Sequence, residues 1–407
     1  MAGFADFEAS SSPNNVPGAS VSSGHVPSGH VPAGHVSAAH ASAGQVSAAN
    51  AAGIFAEGSR FGAYVVGPCI GHGETGRIYR AEHEAIPIEL ALKVFTDESS
   101  RSAVGRNRFL REARRAATIR HPSVVSIFDV GVQDGIPYLV TERLQGEDLD
   151  AVLRSRGALD ERTLVDLMVP LVAGLCALHD AGIVHGDLET ANIFLAARSG
   201  REREPKLLDC GISRALGGDK LRRASGTRGI LRGSPLYLSP EAASGGEVTA
   251  LSDQYSLGVV MYECAVGANP FVAENAAESV RRILQAEYLP LSSQEATQEG
   301  RPSDALVRLI ERAMNPDPEQ RYPDLKALGR ELLSLASERT RMTWRLSFGD
   351  SGALSYARRK PLSLLFHFQQ GWLRLRDAWP QRLDYSTTAA LLVGAVAFAW
   401  GIAILLR

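Results

Sequence analysis

The chain has 407 residues, 45% of them hydrophobic, which is enough for more than one folded unit with a sizeable core. Its formal charge of −2 at pH 7 provides no global field for nucleic acid, and no nucleic-acid partner is expected. The four cysteines, Cys69, Cys176, Cys210 and Cys264, lie far apart with no C-x-x-C pair, which argues against a disulfide framework or a zinc site and fits a reducing compartment.

The N-terminus lacks a basic segment followed by an apolar one, so no secretory signal is expected. Residues 1–60 are rich in Ser, Ala, Gly and Pro, with six tandem pentads from Val21 to Asn50. Histidine ends four of them, at His25, His30, His35 and His40. A five-residue spacing suits no standard ligand turn, and too few apolar side chains are present to offset ordering entropy. The segment reads as a disordered tail rather than a metal tract.

Structure is expected from Phe61. Ala63 to Val66 reads as a strand, followed by Gly71, Gly73 and Gly76 and a second strand over Arg77 to Glu82. Glycines at this spacing between two strands suit a hairpin whose backbone approaches phosphates closely. A dinucleotide-binding loop would instead need a helix next. The strand Leu90 to Phe95 then carries Lys93, one of 5 lysines against 38 arginines. A lysine among apolar strand residues needs an anionic partner. Residues 105–120 predict a helix with an apolar stripe at Phe109, Leu110, Ala113, Ala116, Ala117 and Ile119, in which Glu112 is the one acidic residue. Glu112 is the expected partner of Lys93; the alternative is a surface pair with a neighbouring arginine.

Strands are expected over Val124 to Val130 and Tyr138 to Thr141, then a helix from Asp160 to Ala181 containing Pro170. It leads into His185-Gly186-Asp187-Leu188-Glu189-Thr190-Ala191-Asn192. An aspartate and an asparagine five residues apart on a loop suit phosphoryl transfer, with the carboxylate accepting a proton and the amide oxygen holding magnesium. Further strands are expected at Ile193 to Leu195 and Lys206 to Leu208, the latter ending in Asp209-Cys210-Gly211.

These blocks resemble the eukaryotic-like (Hanks-type) bacterial serine/threonine protein kinases. The run Gly233-Ser234-Pro235-Leu236-Tyr237-Leu238-Ser239-Pro240-Glu241 is similar to the serine/threonine version of that family's block. Ser252 to Gly258 resembles the helix whose aspartate, here Asp253, braces the catalytic loop. Asn315 to Pro323 resembles the turn whose arginine, here Arg321, pairs with Glu241. The resemblance covers residues 61–335. It implies an α+β, bilobal protein-kinase fold with a small β-rich N-lobe and a larger helical C-lobe.

By the same resemblance the cofactors are ATP and Mg2+. The hairpin Ile70, Gly71, His72, Gly73, Glu74, Thr75, Gly76, Arg77 and Ile78 would cover the nucleotide, with Ala91, Lys93, Glu142, Leu144 and Phe194 around it. Thr141 takes the gatekeeper place and Glu142 to Leu144 the hinge. Lys93 would hold the α- and β-phosphates, oriented by Glu112. Asn192 and Asp209 would bind the metal, and Asp187 would deprotonate a serine or threonine of a protein substrate. A homodimer for trans-autophosphorylation is among the implied partners. Residues 212–232 would form the activation loop, with Ser225 and Thr227 as phosphate acceptors, and Cys210 stands where the family has phenylalanine.

Two positions depart from the pattern. Gly186 replaces an arginine that anchors a phosphate on the activation loop. Glu189 replaces a lysine that stabilises the transferring phosphoryl group, whose loss costs on the order of a hundredfold. A solvent-facing Glu189, or a cation supplied by Arg222 or Arg228, would each relieve the problem. Two other readings follow: a catalytically weak kinase fold acting as a nucleotide-binding scaffold, and a small-molecule phosphotransferase, whose loop also resembles His-Gly-Asp-Leu with Asn192.

Residues 336–388 have no kinase counterpart and read as a basic linker, with nine Arg or Lys against three Asp over 339–384 and with Trp372, Trp379 and Tyr385 interspersed. Ala389 to Leu406 carries no charge and is long enough for a membrane-spanning helix. The basic, aromatic flank predicts a single-pass membrane protein with its kinase domain cytoplasmic. One residue follows the run, so an extracellular sensor is not expected.

Overall fold

The computed structural model describes residues 55–73, 76–96, 102–198, 201–212, 235–294 and 300–349. The pentads, Glu74, Thr75, Arg222, Ser225, Thr227, Arg228 and the run 389–406 lie outside the described residues.

The small lobe is a six-stranded sheet of β1 (Arg60–Phe61), β2 (Tyr64–Gly73), β3 (Gly76–His83), β4 (Ile86–Phe95), β5 (Ile127–Gln133) and β6 (Ile136–Glu142). Their order is β1-β2-β3-β4-β6-β5, and every pairing is antiparallel. The helix α1 (Ala103–Ala116) is inserted between β4 and β5 in sequence. Central placement explains why β4 is buried on both faces from Leu90 onward. Leu90, Leu92 and Val94 join Val66, Tyr79 and Ala81 on one face. On the other face Phe95 meets Phe109, Ala113 and Ala116 of α1. Ser102 caps α1, its Oγ accepting from Gly105 N at 2.9 Å. The helix ends at Ala116, short of the expected 120, and the chain then turns through Thr118 toward His121 and Pro122. A proline disfavours helical backbone in the residue before it.

A second sheet, β7 (Gly146–Asp148), β8 (Ile193–Arg198) and β9 (Arg201–Leu207), begins the large lobe. Its helices are α2 (Leu149–Arg156), α3 (Glu161–Asp180), α4 (Pro240–Ala243), α5 (Ala250–Val266), α6 (Ala276–Leu284), α7 (Asp304–Ala313), α8 (Leu325–Leu335) and α9 (Glu338–Trp344). Helix α3 matches the expected span, with Asp160 as its N-cap and Pro170 inside. Among the described residues it alone is long and apolar enough to cross a membrane, and most of it is buried in the large-lobe core. Helices α3 and α5 supply much of that core. Gly258 lets α5 approach Met314 closely, since a Cβ there would lie 2.7 Å from the Met314 side chain.

The packed unit continues past 335, where the sequence suggested the start of a linker. Ala336 and Phe348 are buried in the large-lobe core, and Ser337 N donates to Asp166 Oδ1 of α3 at 2.9 Å. Burial of these apolar side chains is what keeps α9 on the domain.

Candidate active site

The catalytic loop hangs from α5. Asp253, 1% exposed, accepts from His185 N at 2.8 Å and Gly186 N at 2.7 Å, and its Oδ2 is 2.7 Å from His179 Nε2. The bracing aspartate expected from the sequence is therefore in place. Gly186 sits at φ +68°, a left-handed conformation that favours glycine. Asn192, in a short 3-10 turn (Thr190–Asn192), donates Nδ2 to Asp187 O at 2.8 Å and Asp187 Oδ2 at 3.4 Å. The five-residue spacing thus brings these two side chains together.

Across the cleft, Lys93 Nζ lies 2.6 Å from Asp209 Oδ2, with side chains 7% and 8% exposed. This is the anionic partner a buried lysine requires, and it is a different one from that expected. Glu112 instead meets Arg111 Nε at 3.1 Å and Arg115 at 3.3 Å. Arg115 is itself tied to the large lobe, donating to Gly182 O at 2.8 Å. The expected Lys93–Glu112 pair is corrected accordingly: two arginines on its own helix compete for the Glu112 carboxylate, and Asp209 is nearer the lysine.

Asp209 has a left-handed φ of +56°. Cys210 beside it is buried, and burial, then the Asp209 charge, pushes its thiol well above the ordinary range. That makes it a small apolar packing residue rather than a reactive one.

Glu189 is half-buried. Burial, then Asp187, Asp150, Glu263 and Asp209, push its carboxyl well above its ordinary 4.5. Burial and neighbouring negative charge both act against the ionised form of this carboxyl. Next to it Thr190 Oγ1 lies 2.8 Å from the Tyr237 hydroxyl, which donates to Glu263 Oε2 at 2.6 Å. Tyr237 and Glu263 are thus further polar residues close to the catalytic loop. No local spacing in the sequence points to this grouping, which comes from α5 and the turn preceding α4.

A cavity of about 20 Å³ lies behind the Lys93–Asp209 pair. Of the expected nucleotide residues, Ile78, Ala91 and Lys93 line it, with Thr141, Asp209 and Cys210. Val125, Ile127, Leu139 and Leu208 also line it, without having been singled out in the sequence. Ile70, Gly71, His72, Gly73, Arg77 and Glu142 do not line it. Leu144 and Phe194 pack together in a separate small cluster with Leu208. Gly76 has a packing reason of its own, since a Cβ there would lie 1.9 Å from Val94 O. Glu142 is engaged by Lys206 Nζ at 2.8 Å and Ser126 N at 2.8 Å.

For a metal, the Asp209 carboxylate and the Asn192 amide oxygen are hard donors of the kind magnesium takes. Among the described residues no group of three His, Cys, Asp or Glu is arranged to hold a metal ion. The donor set fits an ion that draws its remaining ligands from phosphate and water.

Farther from the cleft, Arg321 donates to both Glu241 oxygens at 2.9 Å. It also reaches Asn315 O and Leu251 O. This is the pairing that the two sequence blocks predicted.

Residues 64–332 match the protein kinase domain family. The serine/threonine-protein kinase PknH of Mycobacterium bovis is 35% identical over 280 residues, covering 68% of this chain and 45% of the relative. The serine/threonine-protein kinase pkn3 of Myxococcus xanthus is 31% identical over 280 residues, covering 69% and 51%. The chain thus spans about half the length of these curated relatives. The crystal structure of the Mycobacterium tuberculosis PknI kinase domain shares the fold, with a TM-score of 0.52 at 23% identity over 69% of this chain and 99% of that one. With the braced catalytic loop, the Lys93–Asp209 pair and the Glu241–Arg321 pair all in place, the chain belongs to the protein kinase family.

Proposed function

We propose that the protein transfers the γ-phosphoryl group of ATP to serine or threonine hydroxyls of protein substrates, from the cytoplasmic face of a membrane. The observation that carries the reading is the Asp187–Asn192 pair, suspended from Asp253 and joined to the segment bearing Asp209 by Asn192 O, which accepts from Leu208 N at 3.0 Å. Asp187 positions and deprotonates the attacking hydroxyl. Asn192 and Asp209 are the residues that would hold magnesium, and Lys93 the one that would hold phosphate. When bound, the ion supplies charge neutralisation at the transferring phosphoryl group. The hairpin Ile70 to Ile78, with Ala91, Glu142, Leu144 and Phe194, surrounds the nucleotide in this reading.

In this reading the contacts seen here differ from those of turnover: Lys93 meets one oxygen of Asp209, and Glu112 meets Arg111 and Arg115. Turnover needs Glu112 to leave Arg115 and take over Lys93, which frees Asp209. Glu189 supports the second reading, a weakly catalytic scaffold, while its raised pKa lessens the electrostatic objection to the first.

Radiolabelled ATP tests the reading with wild type, Asp187→Asn and Glu189→Lys. Label in wild type that Asp187→Asn abolishes is the expected result. Label in Glu189→Lys alone would favour the scaffold. The tether, residues 389–406, is tested by its deletion: unchanged sedimentation with membranes would refute it. Trans-autophosphorylation through a transient homodimer predicts a labelling rate that rises with the square of protein concentration while monomer predominates and linearly once dimer does.

A further inference from the structure

The outer face of α9 is not needed by the packing that holds the helix down. Trp344 lies against His121, ring centroids 5.5 Å apart. Phe348 fills the space over Gly329, where a Cβ would meet its ring at 2.4 Å. Arg330 donates to Phe348 O at 2.8 Å. On the opposite side Met342 is 62% exposed and Leu346 65% exposed. Arg341 precedes Met342 and Arg345 precedes Leu346, both arginines exposed, and among the described residues neither makes an ion pair. Glu338, in the first turn, is the one acidic residue over 336–349.

Two exposed apolar side chains alternating with two unpaired arginines form an interfacial pattern, with aliphatic groups to enter the headgroup boundary and cations to meet anionic headgroups. The sequence beyond continues the same chemistry, with Arg358, Arg359, Lys360, Arg374 and Arg376, before the uncharged run Ala389 to Leu406. A connection the length of 350–388 would let the domain stand well away from a bilayer, so a tether by itself does not orient it.

We propose that α9 and the turn that follows it dock the kinase domain on an anionic phospholipid bilayer through Arg341, Met342, Arg345 and Leu346. This deepens the membrane reading above and rests on it for the proximity of the surface. Docking turns the back of the domain, where α9 packs on α3, toward the lipid.

The test uses the full chain carrying Leu346→Cys in a Cys69→Ser background, the three remaining cysteines being buried. A nitrobenzoxadiazole label on position 346 reports polarity in vesicles of phosphatidylcholine, with or without phosphatidylglycerol. Expected is a blue shift only with phosphatidylglycerol, reversed by high salt and lost in Arg341→Glu with Arg345→Glu. The same label at Leu289→Cys, exposed elsewhere on the large lobe, stays unshifted. A chain that floats with both vesicle types yet never shifts overturns docking and leaves the tether standing. Equal shifts in both lipids, or at both positions, also overturn it. A chain that floats only with anionic vesicles, in a salt-dependent way, refutes the tether and keeps the docking face. A chain that neither floats nor shifts refutes both.

Discussion

Arg115 pairs with Glu112, the acid that the sequence assigned to Lys93. Its guanidinium lies 3.3 Å from the Glu112 carboxylate and donates to Gly182 O at 2.8 Å, so that α1 is fastened to the large lobe by the residue that engages its own acid. Lys93 meanwhile rests on Asp209 at 2.6 Å. The turnover proposed above, with Glu112 on Lys93, requires these contacts to exchange partners.

Arg115→Ala should therefore raise kcat. The ion pair is partly exposed, and with the hydrogen bond to Gly182 its loss shifts the balance by ~1 kcal/mol, or about fivefold. Glu112→Gln should lower kcat by at least tenfold, because Lys93 would lose its orienting carboxylate. Steady-state phosphorylation assays decide it, and a fall in kcat for Arg115→Ala would overturn the exchange.

The raised pKa of Glu189 makes a prediction about stability and pH. A carboxyl whose folded pKa exceeds its unfolded value stabilises the fold fully below the unfolded value, near 4.5, and that contribution is lost as pH rises through the folded value. Glu189→Gln escapes the loss. Its melting temperature relative to wild type should climb as pH is raised above about 4.5 and level off once wild-type Glu189 is ionised. Parallel melting curves across that range would show that burial and the surrounding carboxylates do not act on Glu189.

Arg321→Ala should be among the most destabilising changes in the large lobe. The side chain is fully buried while Glu241 is 22% exposed, and removing one partner leaves buried polar groups uncompensated, at about 3–5 kcal/mol. Burial works to raise the Glu241 carboxyl, and the hydrogen bonds from Arg321 lead the effects that outweigh it, so its pKa falls below 4.5. A depressed pKa gives stability that is present above the unfolded value and lost as pH falls. Denaturant titration of the variant should thus show a deficit that narrows in acid.

Gly186 makes two expectations at once. At φ +68° any other residue is strained, and Gly186→Ala should cost about 1 kcal/mol in thermal or denaturant unfolding. Without an arginine here, loop phosphorylation lacks an anchor, so Ser225→Ala with Thr227→Ala should retain most activity. Near-total loss in the double variant would contradict that.

The sequence by itself determined the kinase fold and the local geometry of the catalytic loop. Asp187 and Asn192 lie close in the chain, and a short turn brings them together. The Asp253 brace and the Glu241–Arg321 pair were legible too, because each residue sits in a block recognisable by its neighbours. The tertiary structure alone decided which charges meet. Glu112 had Arg111, Arg115 and Lys93 within reach, and differences of about 1 kcal/mol between such pairs are settled by where α1 rests on the large lobe. The surroundings of Glu189 likewise come from α2, α5 and Asp209, segments far apart in the chain, and burial cannot be read from spacing. The seat of α9 depended on Gly329 leaving room for Phe348 and on Trp344 meeting His121. These are contacts of shape, on which hydrophobic pattern alone is silent.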